Sequence, residues 1–386
     1  DGVLPWDYED NVMPGNMRRV PWMLGLRGNC RATNLADYAD ALYEDCTITS
    51  EAWGVMSTDG VRRCRLNLKN CDVAITGPSG YGAFSIGDCI DTFEDCRIDV
   101  PDYALIMANE TASGVFKNTK VDAGRFAVMC FRNEGGKLVI TDGSVMNTDE
   151  TTVVVKGCAP IIEADNCVLS PGNGIILQLM NSDDPGNPAG YYKDPTEDDT
   201  FDPSHDNKTA RETYDVVATF KDMTVTGDFY NGSTGKKGDT GPKMEMAPPP
   251  GAGPEGPGGP GGPGGGPGGP GAKGNGYDGV RNMALTFDNA AVTGIISASK
   301  ALHRVEKVFK DNCEELGEVI NTAQPVVNNG VIVTLKNGAT WTVAGTSYLS
   351  SLTIDDTSSV VGTLLVDGKE TALVPGIYTG ALTLTI

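Results

Sequence analysis

The sequence predicts an all-β chain wound as a β-solenoid, and three observations carry that reading. The first is a phrase that recurs with small changes: "LYEDCTIT" (Leu42 to Thr49), "LKNCDVAI" (Leu68 to Ile75), "FEDCRIDV" (Phe93 to Val100) and "VFKNTKVD" (Val115 to Asp122). The second is its spacing. With the Asp or Asn of each copy as marker, Asp45, Asn70, Asp95, Asn118, Asp142 and Asn166 follow one another at steps of 25, 25, 23, 24 and 24 residues. The rhythm resumes at Asp222 and Asn289, then at Asn312 and Asn337. A period of this length marks a stacked repeat. The third is alternation inside each copy, as in Cys96, Ile98 and Val100, the period of a strand with one buried face.

Strands this short cannot stand alone. If each copy of 23–25 residues makes one coil, successive strands pair in parallel, and about eleven coils form a rod of roughly 50 Å. The marker then sits at a bend between two strands. Such a bend takes positive φ, which Asn and Asp tolerate best after Gly. Stacked at one corner, their side chains can also hydrogen-bond from coil to coil.

The cysteines fall on the same lattice. Cys46, Cys71 and Cys96 are 25 apart, as are Cys64 and Cys89, and Cys167 and Cys313 also follow a marker. The ten cysteines form no CxxC pair and no Cys/His cluster, which excludes zinc-finger, iron–sulfur and thioredoxin patterns. The first column reads as an inward stack of thiols, since Cys is a small buried hydrophobe in many cores. The competing reading is a disulfide between adjacent coils, with Cys64 and Cys89 as the candidate pair.

These features resemble a right-handed parallel β-helix of the pectin-lyase-like type. The segment "VIVTLKNGATWTVAGTSYLSSLTIDDTSSVVG" (Val331 to Gly362) also resembles passenger repeats of autotransporter-type surface proteins. The resemblance covers roughly 30–386 without the insertions. It implies the fold; it does not choose among lyases, hydrolases, adhesins and structural fibres, which all use this architecture.

The chain divides into an N-terminal arm or cap (1–40), a first run of β-helix (41–180), an acidic insertion (181–212), one coil (213–230), a Gly/Pro-rich insertion (231–279), a second run (280–376) and a terminal strand (377–386). The acidic insertion carries Asp183, Asp184, Asp198, Asp199 and Asp202. Dense carboxylates of this kind are candidate Ca²⁺ ligands, because Ca²⁺ takes six to eight oxygens. A solvated acidic loop has the same composition, and no EF-hand spacing is present. Beyond possible Ca²⁺, no cofactor is expected. In the second insertion Gly recurs every third residue from Gly253. That spacing lets polyproline-II strands pack closely, within the molecule or between subunits; the alternatives are a flexible linker and a collagen-like triple helix. The segment Ser299 to Ile320 could pass for an amphipathic helix, but Asn312 keeps the repeat register, so strands are expected.

The ends bear on function. "IYTGALTLTI" (Ile377 to Ile386) alternates Leu382, Leu384 and Ile386 with threonines and has no charge. It reads as a naked strand able to join another sheet. The opening residues hold Trp6, Tyr8 and Trp22 among Pro and Gly, either an arm with aromatic anchors or a cap on the chain's own rod.

The formal net charge of −21 argues against a nucleic-acid backbone or an anionic membrane surface as partner. No apolar run of 18 residues occurs. A start at Asp1 is consistent with a removed leader, so an exported, extracellular or cell-surface protein of a prokaryote is expected. A polysaccharide lyase of this fold needs acidic Ca²⁺ ligands facing an Arg base. The candidates are Asp91, Asp95 and Asp99 near Arg97 and Arg125; a charge-alternating solvated sheet would look the same. His205 and His303 are the two histidines, and neither stands in a glycosidase-like context. The sequence therefore points first to a non-enzymatic structural subunit that assembles head to tail into a filament or surface layer. A carbohydrate- or protein-binding adhesin and a Ca²⁺-dependent polysaccharide lyase are the alternatives.

Overall fold

The computed structural model describes residues 25–26, 31–36, 38–59, 63–181, 183, 215–233, 281–305, 310–326 and 330–386, with the backbone of 12–13 and 17–18. It is a parallel β-helix. Three walls wind past in turn. In the first coil they are Arg31–Leu35, Asp40–Glu44 and Thr47–Ser50; in the next, Trp53–Asp59, Arg65–Lys69 and Asp72–Ile75. Each strand pairs in parallel with its counterpart one coil on, for example Asp40↔Arg65, Thr47↔Asp72 and Arg97↔Lys120. The third wall is built of two sheets, one ending at Val168–Pro171 and one starting at Thr224–Thr226. Among the described residues no helix is long and apolar enough to cross a membrane.

The markers are the corners between second and third walls. Asp45, Asn70, Asp95, Asn118, Asp142, Asn166, Asp222, Asn289 and Asn337 all have φ between 44° and 57°, the left-handed region that Asn and Asp tolerate best after Gly. Their side chains form the expected ladder. Asn70 Nδ2 donates to Asp45 Oδ1 at 2.6 Å, Asn118 to Asp95 at 2.6 Å and Asn289 to Asp222 at 2.7 Å. The order along the corner from Asp45 to Asn289 is a strict alternation of Asp and Asn. An asparagine thus separates each of these carboxylates from the next, and no two carboxylates are neighbours.

The first residue past the corner points inward; it follows the marker directly except at Asp142 and Asn337, where an exposed glycine, Gly143 or Gly338, intervenes. Cys71, Cys96 and Cys167 are buried there, Cys46 is half-buried on the first coil, and Thr119 and Ser144 hold the same column between them. Burial pushes the Cys96 thiol up to about 11 and the Cys167 thiol up to about 12, so these thiols behave as neutral core groups. Aromatic side chains stack by the same register: Phe93 on Phe116 at 5.0 Å and Phe220 on Phe287 at 5.5 Å between centroids.

Three expectations are corrected. Cys64 and Cys89 occupy matching positions on adjacent coils, but both are buried thiols that no disulfide joins. In-register parallel rungs aim the two side chains the same way rather than at each other. Asn312 is no corner: its φ is −128°, inside the 3-10 segment Lys310–Glu315. This segment belongs to an excursion in which Ile296–His303 pairs antiparallel with Val319–Ala323. The terminal strand is not naked. Gly376–Thr385 turns back and pairs antiparallel with Ser347–Ile354 and with Thr363–Val366. Leu382 and Leu384 are fully buried beside Leu364, while Ile386 stays exposed. The alternation of Leu and Thr does form a strand, but its apolar face closes the chain's own core. Of the other end, Val12–Met13 pairs antiparallel with Met17–Arg18, and Trp6, Tyr8 and Trp22 lie outside the described residues.

The ladder yields a test. Asn70→Asp sets three carboxylates in a row with Asp45 and Asp95 and removes one donor. It is expected to cost about 1–2 kcal/mol at neutral pH, with most of the loss recovered in acid, where carboxylates protonate. Chemical denaturation at both pH values reads this out; equal losses at both would show that charge alternation is immaterial.

Candidate functional site

The outer face of the first wall is where this chain collects buried charge. The strands Gly80–Ile86, Tyr103–Glu110 and Val153–Lys156 are buried on both faces. Their inward residues, such as Leu105 and Met107, join the main core. Their outward residues form a second cluster of Trp53, Tyr81, Phe84, Tyr103, Ile106, Phe126 and Met129 with Leu26. Tyr103 stacks on Phe126 at 5.6 Å. Part of the cover is the chain itself: Gly25–Leu26 from upstream, and the excursion containing Cys313 to Glu318.

Two cations fasten that cover. Arg125 lies over the Tyr103 and Phe126 rings at 5.0 and 5.1 Å. Its Nη1 donates to Tyr103 Oη at 2.7 Å, its Nη2 donates to the Leu316 carbonyl, and its Nε meets Glu318 Oε1 at 3.4 Å. Asp102 stands 3.6 Å away on the other side and accepts from Ser79 and the Gly80 amide. Lys156 Nζ pairs with Asp183 Oδ1 at 2.7 Å, with both side chains fully buried. Asp183 Oδ2 accepts from the Gly317 amide at 2.6 Å and lies 3.0 Å from His303 Nε2. A side chain at Gly317 would strike Phe126 and Lys156, so Gly brings the backbone close enough for its amide to reach the carboxylate. At the rim, Arg304 bridges Glu150 at 2.7 Å and Glu315 at 3.0 Å.

The electrostatics follow from this packing. Burial works to raise Asp183, but the Lys156 charge and the His303 hydrogen bond outweigh it and hold the carboxyl well below the usual range. Glu318 goes the other way: burial raises it to about 7, with the Arg125 charge opposing.

Asp183 was a candidate Ca²⁺ ligand; both its oxygens are taken by Lys156, Gly317 and His303, which leaves none for a metal. Asp184, Asp198, Asp199 and Asp202 lie outside the described residues, as does His205. Among the described residues no group of three or more His, Cys, Asp or Glu side chains could hold a metal ion. The lyase candidates are dispersed. Asp95 is a corner; Asp99 pairs at the surface with Arg97 at 3.2 Å; Arg125 is buried on a different wall. Asp91 points into the solenoid, not outward. Thr58 donates to its Oδ1 at 2.8 Å, and its buried Oδ2 has no hydrogen-bond partner among the described residues. Lys156 was missed in the sequence, where its one signal is a lone cation closing the apolar strand "TTVVVK".

Two measurements follow. Lys156→Met leaves Asp183 as a buried charge with only His303 and the Gly317 amide beside it, which should cost about 3–5 kcal/mol and raise protease cleavage and amide exchange within 310–318; unchanged protection there would show that the pair does not fasten the excursion. For Asp91, burial raises the carboxyl to about 7 from an ordinary 3.8. The folded chain therefore favours the neutral acid. Stability is greatest below about pH 4 as far as this group is concerned, and falls by on the order of 4 kcal/mol as pH rises to about 7. Asp91→Asn should flatten that slope in denaturation curves taken across this window.

Compared with known proteins, the chain matches no family model, no curated protein and no solved structure. The geometry is the whole basis for what it does.

Proposed function

We propose that this chain is a non-enzymatic, extracellular structural protein, a β-solenoid rod of a prokaryotic cell surface. The observation that supports this best is the state of the first wall. A β-helix acting on a polysaccharide needs a sheet face open to a long polymer, with acids and bases left free to react. Here the face that gathers buried Arg, Lys and Asp with aromatic side chains is covered in part by the chain's own Gly25–Leu26 and Cys313–Glu318. Arg125, Lys156, Asp183 and Glu318 are spent on one another. The polar ladder and thiol column are likewise devices of stacking. The resemblance to pectin-lyase-like β-helices and autotransporter passengers is consistent with a surface role and adds no residue to a reactive site.

The assembly part of this reading changes with the fold. Growth by strand addition at Leu382 and Leu384 is not available, because the terminal strand is already paired, so association has to use another edge. An adhesin is the second reading, and one observation favours it. The two insertions and the excursion all leave between first and second walls, after Ile175–Met180, Asp228–Asn231 and Ile296–His303, which are neighbours in one sheet. The rod thereby offers an acidic loop and a Gly/Pro-rich loop from one corner.

Incubation of the chain with a panel of acidic polysaccharides and Ca²⁺ should release no unsaturated product, and electron microscopy should show rods of uniform length. Product formation would overturn the structural reading. Retention on a glycan array, abolished when 184–214 and 234–280 are replaced by short Gly–Ser links, would move the assignment to adhesin.

A further inference from the structure

We infer that Lys156 and Asp183 are the two reactants of an intramolecular condensation, which leaves an amide cross-link between their side chains once the chain has folded. The bond is separate from the function proposed above and is expected in a structural rod and an adhesin alike. Lys156 Nζ stands 2.7 Å from Asp183 Oδ1, with both side chains fully buried. A C–O bond of about 1.2 Å then puts the carboxyl carbon no more than about 3.9 Å from the amine, close to the separation from which a bond forms. The contact is not aligned as a hydrogen bond: among the described residues neither Nζ nor Oδ1 has a hydrogen-bond partner. A buried ion pair of that geometry repays its desolvation poorly. Turning its two charges into one neutral amide removes the cost. The surroundings are apolar. On the first wall Lys156 is in register with Phe131 on one side and Met180 on the other, and its stem and the Phe126 ring both lie against Gly317. The other lysine–carboxylate pairs among the described residues, at Lys69, Lys120, Lys137, Lys221 and Lys336, leave 43–52% of the lysine side chain exposed. Those ammonium groups are hydrated, and no condensation is expected there.

The step balances without a further reagent. Nζ passes one proton to Oδ1, which leaves a neutral amine beside a neutral acid. The Nζ lone pair attacks Cγ, and negative charge develops on Oδ2. That oxygen faces the Gly317 amide at 2.6 Å and His303 Nε2 at 3.0 Å, which with a proton on Nε2 make a two-donor oxyanion hole. Nζ gives a second proton to Oδ1, the Cγ–Oδ1 bond breaks, and one water leaves. Burial opposes the charge on Asp183, but Lys156 and His303 hold it ionised, so the neutral pair is the minor form. A reaction that each molecule performs once can draw on it, because two groups fixed in place react as if at roughly 10⁵–10⁸ M. The product fastens Val153–Lys156 to the residues just past Ile175–Met180 in the next coil, where the acidic insertion leaves. Cutting or pulling within that insertion then cannot separate the two coils at this point.

Intact-mass spectrometry of the full chain, folded and then denatured and reduced, should give a mass one water below that of the sequence. Trypsin should leave the bond after Lys156 uncut and release one branched peptide joining the segments that carry Lys156 and Asp183. Lys156→Arg, which keeps the charge but not the primary amine, and Asp183→Ala should each restore the full sequence mass, with circular dichroism to check that each variant is folded. None of these readings depends on polysaccharide cleavage or glycan retention, so the proposed function stands or falls apart from the bond. The full sequence mass in the folded chain, kept after prolonged incubation at neutral pH, would overturn the inference and leave the pair a salt bridge only. So would a lost water that persists in Lys156→Arg, or that maps to any other pair of residues.

Discussion

Everything in this molecule depends on keeping successive coils in strict register at the corner between second and third walls. A corner residue there must adopt positive φ, and its amide must reach the carbonyl that precedes the next corner. Asp45 N donates to Lys69 O, Asn70 N to Glu94 O and Asp95 N to Lys117 O, each at 3.0 Å. Once that bond is set, a slip of one residue would turn every following side chain to the wrong face. The alternation of Asp with Asn adds a side-chain rung at Asp45–Asn70, Asp95–Asn118 and Asp222–Asn289 without setting like charges side by side. From this one constraint follow the inward column of Cys, Thr and Ser and the stacked phenylalanines, because residues at equal distance from the corner must coincide.

The same register explains why charge is buried on the first wall. Parallel stacking presents a broad face of outward side chains, and here those are Trp, Tyr, Phe, Arg and Lys. An exposed face of that composition would be an association hazard, and the chain covers part of it with Gly25–Leu26 and the excursion. Burying Arg125 and Lys156 then demands partners, which Asp102, Asp183 and Glu318 supply. Such pairs give little net stability against apolar substitutes. Their effect is to define where the cover sits, since Asp183 must meet Lys156, His303 and the Gly317 amide together. A carboxylate engaged this completely is held in one place and one charge state. That is the opposite of what a general base or metal ligand needs, and it is why the charge-rich face reads as a joint within the molecule.

The sequence showed the repeat because each coil repeats one local problem at a fixed interval; corners, inward thiols and strand alternation could all be read from Asp45 to Asn166. It misled where a local pattern has two tertiary solutions. Leu382 and Leu384 announce a buried face but not whose core buries it. Asn312 falls on the period, yet its segment forms a 3-10 turn that packs on the first wall. Asp91 alternates with Ile90 and Thr92 like an outward polar residue, but counting back from the corner at Asp95 puts it on the inward side with Phe93. Lys156 and Asp183 become partners only across the fold, and neither carries a local signal of the other.

The placement of the insertions follows from the difference between the corners. Between second and third walls, a bend of one residue, or of two where Gly143 and Gly338 follow the marker, carries the backbone bond and, in several coils, the side-chain ladder, so long additions there would break the stack. Between third and first walls the links are short; Val100 and Tyr103 are separated by Pro101 and Asp102. Between first and second walls the described residues form no such ladder. The link there can be two residues, as at Gly157 and Cys158, or vanish, as in the unbroken strand Phe126–Thr141, or run on from Met180 to Val216. Length is tolerated where nothing has to coincide from coil to coil. The rod therefore divides its labour by geometry: one corner keeps the register, and the opposite one is free to carry whatever the surface is meant to show.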